Sequence, residues 1–267
     1  MNDETHQPTI QDTWVDSPDG RLFARGWTPA ASSALAPIVL LHDSLGSVEL
    51  WRSFPAALCE ATGRRVIAYD RLGFGRSDPH PDTLALDFIA SEAEAGFAAV
   101  RRHFGLERFV VFGHSVGGGM AVNLAAHLGE ACVALITESA QSFLEDRTVR
   151  GLEEARVFFR DPVQLERLGK YHGDKARWVL DAWIESWLDP AFAGWSLRTV
   201  LPQVNCPALA IHGLDDEYGS RKHPELIAEL SGGPVRLALM ADTRHVPHRE
   251  REAEVVELVR SFLSPLP

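Results

Sequence analysis

One serine in this sequence of 267 residues stands in a setting that makes it a candidate nucleophile. The run Gly113-His114-Ser115-Val116-Gly117 closes the apolar stretch FVVFG and opens the small-residue stretch GGGMAVNLAAHL. A strand-to-helix turn at this point would raise the hydroxyl above the edge of a sheet. It would need glycine two residues before and two after, because side chains there collide. The same turn aims the Val116 N–H at a developing oxyanion. The bare spacing G-x-S-x-G arises by chance in roughly one chain in ten of this length, so the strand before it and the helix after it carry the weight. A serine hydroxyl is unreactive at its own pKa and needs a base within hydrogen-bond reach. Other chemistries lack their residues. Gly73-x-Gly75 runs on to Asp78 where a dinucleotide fingerprint needs a third small residue. The sequence has no phosphate-binding G-x-x-x-x-G-K-[ST] loop, no H-E-x-x-H and no paired cysteine motif, so neither a cofactor nor a metal is expected.

The elements that must position Ser115 can be read from the pattern of apolar runs. Residues 13–28 form two alternating segments around Pro18-Asp19-Gly20, a turn-forming triplet, which predicts a hairpin. Short apolar runs at 37–42, 65–70, 109–113, 132–137, 208–212 and 235–240 read as strands. Helical patterns at 51–61, 84–104, 116–128, 224–230 and 249–263 lie between or beyond them. The alternation predicts an α/β protein with a mostly parallel sheet covered by helices on both faces. Residues 139–203 break it: they are helical in pattern, contain no strand-like run and hold four of the seven tryptophans. This predicts a core of 1–138 and 204–267 with a helical cap inserted at 139–203.

These motifs resemble the α/β-hydrolase superfamily from residue 13 to residue 263. LLHDSLGS at 40–47 is similar to the family's H-G-x-x-G strand end, and DRLGFGRSD at 70–78 to its D-x-x-G-x-G-x-S segment. IHGLDDEY at 211–218 is similar to the loop carrying the acid, and TRHVPHRE at 243–250 to the loop carrying the histidine. The resemblance implies a triad in the order Ser115, Asp216, His245. In it, Ser115 attacks, His245 is the base and Asp216 orients the imidazole. His248 is the alternative base, although Pro247 suggests that it lies on a first helical turn. Asp216 is selected by its spacing from Gly213, with Asp215 next and Glu138, after a strand, as the fallback. The second oxyanion donor is placed at the Ser44 N–H, with Leu45 as runner-up. Asp43 stands where the family usually has glycine. His42 and His114 are read as structural, and Asp70 and Asp78 as turn residues.

The resemblance places the insertion over the nucleophile. Trp183 and Trp187, four residues apart, share a helix face, and with Phe159 they are expected to line a largely apolar substrate pocket. The implied activity is hydrolysis of an ester, a lactone, a thioester or the C–C bond of a vinylogous diketone through an acyl-serine. A hydroxynitrile-type lyase using the same histidine, or a ligand receptor that keeps the pocket, is the alternative. Relatives that use an aspartate nucleophile are disfavoured by Ser115.

The resemblance implies a small-molecule substrate as the partner, and composition argues against two others. The net charge of −11 opposes binding to nucleic acid and anionic membranes. No apolar run approaches the ~18 residues that span a bilayer. The acidic, polar start MNDETHQPTI has no secretory pattern. With three scattered cysteines, Cys59, Cys132 and Cys206, expected to be buried packing residues, it suggests a cytoplasmic protein.

Overall fold

The computed structural model describes residues 7–31 and 34–267. Residues 1–6, most of the start read as having no secretory pattern, lie outside the described residues. Eight strands form one sheet in the order β1-β2-β4-β3-β5-β6-β7-β8. The first hairpin pairs β1 (Thr9–Ser17) with β2 (Gly20–Thr28), closing at Ser17 opposite Gly20. β3 (Ile38–Leu41), β4 (Val66–Tyr69), β5 (Phe109–His114), β6 (Cys132–Glu138), β7 (Ala208–Gly213) and β8 (Val235–Met240) run parallel to one another. β2 joins them antiparallel through β4.

β3 and β4 are apolar along their whole length, and β5, β6 and β7 along most of theirs, because both faces are covered; β8, at the edge of the sheet, is only partly buried. Alternate residues feed two cores. Ile38, Leu40, Val66, Ala68, Val110 and Phe112 meet α1 (Phe54–Thr62) and α10 (Glu252–Leu263) through Phe54, Leu58, Val255 and Val259. Val39, Leu41, Ile67 and Val111 face the opposite core. That core is filled from α2 (Phe88–Ser91), α3 (Gly96–Phe104), α4 (Val116–Leu128) and α8 (Lys222–Leu230). The helix expected over 84–104 is interrupted: α2 and α3 are separated around Glu92, whose buried carboxylate turns inward to accept the Tyr69 hydroxyl at 2.5 Å. The helix expected at 249–263 is likewise broken, at Arg251, into α9 (Pro247–Glu250) and α10.

Between β6 and β7 the chain forms the helical insertion, α5 (Asp146–Phe158), α6 (Pro162–His172) and α7 (Ala176–Leu188). It has its own apolar cluster of Leu168, Val179, Leu180 and Ile184, and Phe74 of the core reaches into it. The segment 70–78 seats the insertion. The Gly75 N–H donates to His172 Nδ1 at 2.8 Å, and Lys175 Nζ donates to the Gly75 carbonyl at 2.9 Å. Gly73, at φ 84°, lies so close under Trp178 that a Cβ would stand 2.4 Å from the indole. Asp70 is more than a turn residue. It is buried, and its carboxylate accepts the N–H groups of Val48 at 2.6 Å and Arg76 at 2.7 Å. Cys132 and Cys206, 74 residues apart, bring their sulfurs to 4.0 Å at the strand ends remote from Ser115.

Candidate active site

Ser115 sits in the turn between β5 and α4 at φ 55° and ψ −123°, a strained setting for a residue with a Cβ. The flanking glycines are required by close approach. A Cβ on Gly113 would lie 2.0 Å from the Gly117 carbonyl, and one on Gly117 would lie 2.2 Å from that of Leu41. The turn is held by the Ser115 N–H donating to the Glu138 carbonyl at 2.8 Å.

Two further loops converge on this serine. His245 follows β8, and its Nε2 lies 3.1 Å from Ser115 Oγ. Its Nδ1 lies 2.9 Å from both carboxylate oxygens of Asp216. An ionised carboxylate only accepts, so Nδ1 donates to Asp216 and Nε2 is left to accept the serine proton. Asp216 Oδ1 also accepts the N–H groups of Tyr218 at 2.8 Å and Gly219 at 3.1 Å. Burial alone would raise the Asp216 pKa; the His245 and His212 rings and the Tyr218 N–H outweigh it and hold the carboxyl down at about 2. Gly213 lets the acid and histidine loops pass each other, since a Cβ there would stand 2.2 Å from the Arg244 carbonyl.

The alternative residues lie elsewhere. Asp215 is exposed, and Glu217, also exposed, pairs with Arg244 at 3.3 Å. His248 is on the single turn of α9, buried, and its Nδ1 pairs with Glu138 at 2.5 Å. The fallback acid and the alternative base are thus bound to each other. His114, Glu138 and His248 are the cluster among the described residues whose donors could reach a common ion. Those donors are already engaged with one another and with the main chain, including the His248 N–H on Glu138 at 2.8 Å. Among the described residues no hydrogen bond uses the N–H of Val116 or Ser44. The Leu45 N–H, by contrast, donates to Asp43 Oδ1 at 2.9 Å, which removes the runner-up oxyanion donor.

Ser115 and His245 open onto a cavity of about 150 Å³ walled by Ser44, Leu45, Leu152, Trp183, Trp187 and Tyr218. A second cavity of about 510 Å³ lies beyond it, and Leu45, Trp183 and Tyr218 line both. Trp183 is half-buried between the two. Trp187 is only 2% exposed and has the Phe192 and Trp195 rings at 5.3 and 5.6 Å. Phe159 departs from expectation. It caps the C-terminus of α5 beside the insertion's own apolar cluster and lines the second cavity, not the one holding Ser115. Gln141 was not singled out from the sequence. It lies buried three residues beyond β6, lines the inner cavity and places Oε1 3.3 Å from Ser115 Oγ. An isolated glutamine after a strand carries no local signal; only the folded chain brings it to the serine.

The α/β hydrolase fold family model matches residues 36–163. The chain is 29% identical over 234 residues to a non-heme haloperoxidase of Rhodococcus erythropolis, covering 76% of this chain and 82% of that protein. A solved 2-hydroxy-6-oxo-6-phenylhexa-2,4-dienoate hydrolase from a Rhodococcus species superposes with a TM-score of 0.80 at 16% identity, over 96% of this chain and 99% of that one. Proline iminopeptidase from Mycobacterium smegmatis gives a TM-score of 0.77 at 23% identity, over 96% and 98%. The chain has the α/β-hydrolase fold. Among the described residues no helix is long and apolar enough to cross a membrane.

Proposed function

We propose that this protein is a serine hydrolase that cleaves an ester-, lactone- or thioester-type bond, or the C–C bond of a vinylogous diketone, in a small and largely apolar substrate. One observation carries the reading: the Ser115–His245–Asp216 chain, linked at 3.1 and 2.9 Å, opens on a mainly apolar cavity. His245 Nε2 takes the Ser115 proton as Oγ bonds to the substrate carbonyl carbon. The carbonyl electron pair moves onto oxygen, facing the Val116 and Ser44 N–H groups. Collapse of that intermediate expels the leaving group, which His245 protonates. Water, deprotonated by the same ring, then releases the acyl group from Ser115.

The test is a panel of esters, lactones, thioesters and vinylogous diketones, run on the wild type and Ser115→Ala in parallel, with mass spectrometry of the quenched enzyme. Turnover with an acyl group on Ser115 supports the reading. Turnover without a covalent adduct would point to the lyase chemistry. Tight binding without turnover would point to a receptor.

A further inference from the structure

The position at which this chain departs from H-G-x-x-G, Asp43, is tied to both sides of the candidate site. Its Oδ1 accepts the Leu45 N–H at 2.9 Å, and the loop closes so tightly that a Cβ on Gly46 would stand 2.7 Å from that oxygen. Its Oδ2 lies 3.4 Å from Nδ1 of His114. His114, adjacent to Ser115 and 1% exposed, places its other nitrogen, Nε2, 2.9 Å from the carbonyl oxygen of His245. The ring therefore lies between a carboxylate and a carbonyl. Neither has a proton to give, so the form of the ring that suits both contacts is the one protonated on both nitrogens. The other charged or titratable groups around the ring are Glu138, 4.0 Å from Nε2, and the rings of His245 and His248 at 5.2 and 5.0 Å. Arg249 and the His42 ring line the same small space beside Asp43. Glu138 is already committed to His248, and Asp43 makes the ion pair.

We propose that His114 is a positioning residue. As a doubly protonated ring it ties the loop carrying the Ser44 N–H to the loop carrying His245, so that oxyanion donor and general base keep one relative geometry. Burial pulls the ring toward its neutral form, but Asp43 and Glu138 outweigh burial and raise its pKa. A group with a raised pKa contributes at low pH, and its contribution is lost as pH rises through that value. The kinetic consequence rests on the serine-hydrolase reading; the charge state does not.

The test uses the full chain labelled with ¹⁵N-histidine. In the wild type one imidazole should stay protonated on both nitrogens at pH 7.5, and its signal should vanish in His114→Asn. In Asp43→Asn, which keeps an oxygen for the Leu45 N–H but turns an amide N–H toward the ring, His114 should become neutral, and the tie should weaken as a neutral hydrogen bond replaces the ion pair. That variant should label with a fluorophosphonate about tenfold more slowly and lose kcat by a similar factor, with KM within about twofold. Its fall in kcat/KM at alkaline pH should also disappear. His114→Gln, whose amide nitrogen can replace Nε2 toward the His245 carbonyl, should retain more activity than His114→Asn. A neutral His114 in the wild type at pH 7.5 would overturn the proposal. So would unchanged labelling and kcat in Asp43→Asn, or a change in KM alone. If no substrate is turned over, the functional reading fails while the resonance and labelling measurements still decide this one.

Discussion

Replacing Trp183 with alanine should change which acyl chains the enzyme prefers. The inner cavity, at about 150 Å³, is the size that admits one benzene-like ring in an apolar protein interior. Its partition from the outer cavity of about 510 Å³ is made by Leu45, Trp183 and Tyr218. The Trp183 and Tyr218 rings meet edge to face at 6.0 Å. Each methylene buried in the transition state contributes about 0.8 kcal/mol, close to fourfold in kcat/KM. In the wild type kcat/KM should rise along a series of p-nitrophenyl esters to about six acyl carbons, where the inner cavity is full, and then fall. In Trp183→Ala the two cavities join and the rise should continue for about four more carbons. The variant should then exceed the wild type on the longer ester by roughly 10²-fold. Trp183 is half-buried, so the fold should tolerate its loss. The comparison variant Trp187→Ala should instead lower Tm, since deleting a fully buried tryptophan costs about 3–5 kcal/mol. The same optimum in wild type and Trp183→Ala, or a flat profile in both, would refute the argument that this indole is the wall.

Ser115→Ala should lower kcat by roughly 10⁴–10⁶ and abolish fluorophosphonate labelling; full activity would remove Ser115 from the reaction. Asp216→Asn should lower kcat by up to about 10⁴, and a larger loss in Asp215→Asn would reverse the assignment. Asp216 is also a stability term. Its carboxyl is held at about 2 against an ordinary 3.8, so at neutral pH its ionised form contributes on the order of 2 kcal/mol. Because the folded pKa is the lower one, that contribution is full above the unfolded value of about 4 and disappears as pH falls toward 2. Urea unfolding should therefore show Asp216→Asn destabilised at pH 7 but converging on the wild type in acid. Gln141→Leu removes the second acceptor for the Ser115 hydroxyl and should speed fluorophosphonate labelling by up to about fivefold, the worth of one neutral hydrogen bond. A tenfold slowing would place Gln141 on the substrate side instead.

The amino-acid sequence by itself determined the alternation of strands and helices, the hairpin at Pro18-Asp19 and the strand–serine–helix turn. Each rests on local rules: apolar periodicity, turn chemistry and glycines where a Cβ has no room. The break between α2 and α3 was not legible in the helical pattern of 84–104, and neither was the contact made there by Glu92, whose partner Tyr69 lies on β4 more than twenty positions earlier. Only the tertiary structure could rank the acids and histidines by contact. Asp215 and Asp216 are neighbours in a polar loop, yet one faces solvent and the other faces His245. His248 and Glu138 pair because the end of β6 meets the start of α9. Phe159 and Trp183 both carry apolar rings in the insertion, but which cavity each lines depends on how α5 and α7 pack together. Gln141 and the Asp43–His114 contact join residues from separate strand ends and loops of the sheet, and sequence spacing holds no record of a distance set by how those segments converge.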